Sequence, residues 1–154
     1  MTRKAQEKDI DKILDLLRQV ARVHHKGRPD IFMDGTKYER DELKLMLNKD
    51  LDPIFVYTDR NDLPIGYAFC NTICHKNDTV LTDIKTLYID DLCVDIEYRG
   101  QGIGTKLYEY VKEYAKENRY YNVTLNVWEL NPSAKRFYEH LGLHVLKTYM
   151  EEII

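Results

Sequence analysis

One feature limits the possible folds more than any other: a helix that starts directly on closely spaced glycines, just after a strand carrying two adjacent acids. The stretch DDLCVDIEYRGQGIGTKLYEY runs from Asp90 to Tyr110. With its upstream residues, TVLTDIKTLYIDDLCV is rich in β-branched and apolar side chains and predicts a central strand over 79–94. Downstream, Ile103, Leu107, Tyr110, Val111, Tyr114 and Ala115 recur at helical spacing and predict a helix over Ile103–Asn118. The amides of that helix's first turn have no intrahelical partners. Glycines leave the main chain bare, so these N–H groups and the positive end of the helix dipole converge on an anion such as a phosphate or pyrophosphate. The bland alternative is a tight turn that needs glycine only for positive φ.

The remaining elements follow from period and punctuation. Thr2 to Ala5 predicts a short strand, and Asp9, Ile10, Ile13, Leu14, Leu16, Leu17, Val20 and Val23 trace an amphipathic helix. Gly27 and Pro29 break it, and Leu43, Leu45, Met46 and Leu47 supply the apolar face of a second helix. PIFVYTD and IGYAFCNTICH, joined by the turn RNDLP, predict a hairpin. NVTLNVW predicts a strand, NPSAKRFYEHL a helix and GLHVLKTYMEEII a last strand. The order β-α-α-β-β-β-α-β-α-β predicts an α+β, three-layer α/β architecture. Its sheet is mixed and mostly antiparallel, flanked by helices, with a strand-helix-strand crossover near the end.

The chain has 154 residues with 44% hydrophobic content, enough for one core, and a single domain over 1–154 is expected. The 23 basic and 26 acidic residues are interspersed, which argues against a nucleic-acid partner. No apolar run reaches the roughly 20 residues that span a bilayer, so no membrane partner is expected, and a cytoplasmic location is. In a reducing compartment Cys70, Cys74 and Cys93 read as small buried hydrophobes. Neither His24-His25 nor the Cys70, Cys74, His75 set has the paired spacing of a metal site.

Known phosphate motifs do not fit the glycines. Leu107 stands where a dinucleotide fingerprint needs its third glycine, and Gly104-Thr105-Lys106 inverts the end of a P-loop. What remains is Arg99-x-x-Gly102-x-Gly104, followed by a strand and by Asn131, Ala134, Phe137, Tyr138, Glu139 and Gly142 on the next helix. These two linked motifs resemble those of the GCN5-related N-acetyltransferase (GNAT) family. Tyr88 to Leu92 is similar to the corresponding strand of its polyamine and thialysine branch, and the chain also resembles the ribosomal-protein alanine acetyltransferases. The close resemblance runs from about Leu87 to the C-terminus. It implies a GNAT fold and an enzyme that transfers acetyl from acetyl-CoA (coenzyme A) to the primary amine of a small molecule, by direct attack in a ternary complex. An N-terminal or lysine acetyltransferase of a peptide or protein, and a non-catalytic CoA-binding module, stay open as alternatives. A homodimer is also in keeping with the family.

By the resemblance, Arg99, Gly100, Gln101, Gly102, Ile103, Gly104 and Thr105 hold the pyrophosphate, with Asn131, Ala134 and Tyr138 also at the coenzyme. The backbone of Leu92, Cys93 and Val94 would pair with the pantetheine arm and supply an oxyanion donor at a bulge. An alkylamine with a pKa near ~10.4 needs roughly 4.6 kcal/mol to lose its proton at neutral pH. Asp90 and Asp91 are the nearest acids, and strand alternation turns only one of them to the cleft. Asp90 is favoured, with Glu129 in reserve. Tyr138 protonates the leaving thiolate. Asn131 also reads as a helix N-cap before Pro132. In the loop after the first helix, Arg28, Asp30 and Asp34 are candidates for choosing the acceptor. Trp128 reads as a core or cleft wall.

Overall fold

The computed structural model describes residues 1–154. Its strands are β1 (Thr2–Lys4), β2 (Ile54–Thr58), β3 (Pro64–Cys74), β4 (Lys85–Val94) and β5 (Asn122–Leu125). Its helices are α1 (Ile10–Gly27), α2 (Arg40–Leu47), α3 (Ile103–Glu117) and α4 (Pro132–His140). The strands form one sheet in the order β1-β2-β3-β4-β5. All neighbours are antiparallel except β4 and β5, which the α3 crossover joins in parallel. The predicted mixed, mostly antiparallel α+β architecture is therefore the observed one.

Each sheet face buries one apolar layer. Ile10, Ile13, Leu16 and Leu17 of α1 and Leu43 of α2 pack on Ile54, Val56, Tyr67 and Phe69. On the other face Ile103, Leu107, Val111 and Ala115 of α3 pack on Phe55, Ala68, Leu87 and Ile89. The helical period seen in the sequence is the period of these contacts. Complete burial of each leucine contributes about 1.5–3 kcal/mol.

Four expectations change. The first six residues of 79–94 are not strand, because the Asp78 carboxylate accepts hydrogen bonds from the Val80 and Leu81 amides and closes a turn. β5 ends at Leu125 and does not continue to Trp128. The segment GLHVLKTYMEEII is not a strand: beyond Leu143 it lies on the surface, with Leu146, Tyr149 and Met150 exposed. Cys74 is exposed, its thiol donating to Asp83, whereas Cys70 and Cys93 are buried as expected.

Candidate active site

The central feature is a gap in the sheet. β4 and β5 pair from Thr86 opposite Asn122 to Ile89 opposite Leu125 and then part, although β4 continues for five residues to Val94. In β4 the amide of Asp95, just past the strand, donates to the Ile65 carbonyl of β3 at 3.0 Å. Alternation then turns the Cys93 main chain to β3 as well, and leaves that of Leu92 and Val94 facing the gap. Of the three residues expected to pair with a pantetheine arm, Cys93 thus has its N–H committed to the ladder. One gap-facing group is already engaged, for the Val94 carbonyl accepts from Arg99 Nε at 3.0 Å.

A bulge sets the acids. Phe69 lies opposite Asp91 and Cys70 opposite Ile89, so Asp90 is an extra residue with no partner in β3. The bulge reverses the alternation. Leu87 and Ile89 point to the α3 layer, while Cys93 points to the α1 layer. Asp91 follows Cys93, its Oδ2 accepting from the buried Tyr67 hydroxyl at 2.9 Å. Asp90 turns the same way: its Oδ2 accepts from Tyr38 Oη at 2.9 Å and Lys37 Nζ at 2.7 Å. Both carboxylates therefore serve one side, contrary to the expectation from an unbroken strand. Desolvation raises the Asp91 carboxyl above the ordinary range, against the opposing pull of Lys37 and the Tyr67 hydroxyl.

The glycine turn closes one end of the site. Gly102 is the N-cap of α3 at φ +73°, and a Cβ there would meet nothing within 4 Å. The first bond of this helix runs from the Lys106 amide to the Gly102 carbonyl at 3.1 Å, leaving the Ile103, Gly104 and Thr105 amides ahead of it. Gly104 has a different task, since a Cβ would lie 3.1 Å from Phe137 Cζ of α4. It lets α4 approach the turn.

α4 supplies the third wall. Asn131 Oδ1 accepts from the Ala134 amide at 3.2 Å and caps the helix ahead of Pro132, so its capping role is real. Two helix turns on from the cap, Tyr138 stands against Phe137 and Tyr108, and burial and the charge of Asp91 push its phenol well up.

All these groups line one cleft of about 970 Å³. Asp90, Asp91, Leu92, Cys93, Val94, Arg99, Gly100, Gly102, Ile103, Gly104, Thr105, Asn131, Ala134 and Tyr138 are brought together there. Two expected residues are not. Gln101 turns to a separate hollow with Met1 and Tyr57, and Glu129 is exposed beyond the end of β5, 3.5 Å from Lys135. Arg28, Asp30 and Asp34 also lie off the cleft, with Arg28 pairing with Asp30 and Glu151. The same loop reaches the cleft through Phe32 and Lys37, and Phe32 packs edge-on against Trp128 at 5.0 Å. Lys37, Tyr38 and Tyr67 were not foreseen. No spacing in the sequence marks them; Tyr67 reads as an ordinary apolar strand position until the register is known.

Comparison with known proteins agrees with this geometry. Residues 14–143 match the model of the Acetyltransferase (GNAT) family, and the chain belongs to that family. An uncharacterised N-acetyltransferase of Methanocaldococcus jannaschii is 30% identical over 134 residues, 87% of this chain, and the match spans only 56% of that protein's length. One of Archaeoglobus fulgidus is 30% identical over 136 residues, covering 88% of this chain and 87% of its own. Among solved structures, a variant of the BH1408 protein of Bacillus halodurans superposes with a TM-score of 0.95 at 28% identity, covering 100% of this chain and 99% of that one.

Proposed function

We propose that residues 1–154 form one acetyl-CoA-dependent N-acetyltransferase domain that acetylates a primary amine of a small molecule in a ternary complex. The observation that carries this reading is the gap between β4 and β5. It leaves main-chain donors open beside a bare helix N-terminus, a tyrosine and two carboxylates, all in one cleft. The residues fit the coenzyme: the Ile103, Gly104 and Thr105 amides and the open space at Gly102 suit a pyrophosphate, and the Leu92 and Val94 edge suits an extended arm with amide groups. When bound, acetyl-CoA supplies the acetyl group as an activated thioester.

The chain's own groups do the rest. The Leu92 N–H, fixed by the sheet, donates to the carbonyl oxygen on which charge grows. Asp90 takes the acceptor's proton through water, and the desolvated Asp91 behind it adds negative field that favours a cationic amine. Tyr138 is a phenol at neutral pH, burial and the charge of Asp91 holding its proton more tightly still, and it donates a hydrogen bond to the departing sulfur. This assignment replaces Glu129 as a reserve base, since that residue is exposed and does not line the cleft.

A small acceptor is favoured because Phe32, Lys37 and Trp128 also line the cleft, with Lys37 reaching across to Asp90 of β4. A cytoplasmic enzyme, monomeric or dimeric, is consistent with this reading. The test is thiol release from acetyl-CoA against a panel of small amines and peptides. Tyr138→Phe should lower kcat at least tenfold, about 1.4 kcal/mol, with coenzyme affinity nearly unchanged. Coenzyme binding with no thiol release for any acceptor would leave only a non-catalytic binding module.

A further inference from the structure

Lys37 is the one primary alkylamine that the chain itself places on the proposed proton acceptor. Its Nζ lies 2.7 Å from Asp90 Oδ2, across 53 residues of sequence. Its charge also acts on Asp91, and it lies 5.6 Å over the Tyr38 ring, whose hydroxyl holds the same Asp90 oxygen. Lys37 comes from the segment between α1 and α2, which contributes no helix or strand, and its side chain is 41% exposed. Its amine therefore has the chemistry, the partner and the freedom of the acceptor assigned above.

We infer that Lys37 is an internal acetyl acceptor, modified in cis by the same cleft, from its ion pair with Asp90 beside the open Leu92 edge. The inference rests on the acetyltransferase reading. The step balances without a further reagent. Asp90, in direct contact with Nζ at 2.7 Å, takes one proton from the Lys37 ammonium. The Nζ lone pair then forms a bond to the carbonyl carbon of the acetyl thioester. The carbon–sulfur bond breaks, sulfur leaves with its electron pair, and the thiolate takes up a proton. The second proton on nitrogen passes to solvent, leaving a neutral amide.

This changes the site. An acetylated Lys37 no longer pairs with Asp90, which then keeps only the Tyr38 hydroxyl, so the cleft gains one net negative charge toward an incoming amine.

The experiment incubates the purified full chain with acetyl-CoA and no acceptor, followed by intact mass and peptide mapping, beside a thiol-release assay with added amines. One acetyl group is expected on Lys37, at a rate independent of protein concentration and at least tenfold faster than on the exposed Lys112. It should be absent in Lys37→Arg, and tenfold slower in Tyr138→Phe. Turnover of added amines with Lys37 unmodified would overturn this inference and leave the enzyme assignment standing. Labelling of Lys37 no faster than of Lys112, or a rate that rises with protein concentration, would also overturn it. Neither turnover nor labelling would remove the acetyltransferase reading itself.

Discussion

Asp91 and Asp90 are neighbours in sequence with different surroundings. Asp91 is held by a buried tyrosine and disfavoured as an anion, whereas Asp90 carries an ammonium and a hydroxyl. A carboxyl whose folded pKa lies above its unfolded value binds protons more tightly in the native state. Its contribution to stability is present at low pH and is lost as pH rises through the folded value. Asp91→Asn should therefore melt higher than the parent at about pH 8, with the gain shrinking toward about pH 4. Calorimetric melts across that range check the sign. A variant less stable at the upper end would mean that the carboxylate is satisfied as an anion. The two acids were readable in the sequence, but their common orientation was not. It depends on a one-residue bulge, and DD gives no sign of which residue is the extra one.

At the level of elements, α1, α3 and the hairpin were legible because apolar period reports burial directly. The end of β5 was not, since NVTLNVW keeps its strand-like pattern past the point where β4 leaves it. Glycine spacing did mark the start of α3, and the structure divides its meaning. Gly102 provides a left-handed cap open to the cleft, and Gly104 provides clearance for α4. Gly102→Glu places a side chain and a negative charge at the mouth of the free amides. Titration calorimetry should show coenzyme A affinity reduced at least a hundredfold, about 2.7 kcal/mol, whereas near-normal binding would mean that the phosphates lie elsewhere. Some loss of folding stability accompanies any side chain there, about 1–2 kcal/mol from the left-handed backbone alone.

For the molecule as a whole, two apolar layers on one sheet carry the stability, and the segment after Leu143 adds little. Residues 144–154 make no main-chain hydrogen bonds, and their one ion pair, Glu151 to Arg28, is solvent-exposed. Their apolar residues resemble a strand, but they pair with no strand of the sheet. Deleting 144–154 should shift the melting temperature by less than about 4 °C. By contrast, Leu107→Ala, which hollows the α3 layer, should cost about 2–5 kcal/mol. A large drop on truncation would show that this segment packs in solution.

The parting of β4 from β5 also leaves a signature in deuterium uptake. Along one strand, the amide hydrogens of Asp91 and Cys93 face β3 and should exchange slowly with or without ligand, while that of Leu92 faces the gap and should exchange faster. Adding coenzyme A should retard labelling at Leu92 and leave its two neighbours unchanged. This alternating pattern would report occupancy of the slot residue by residue, with no need to know which amine the enzyme acetylates.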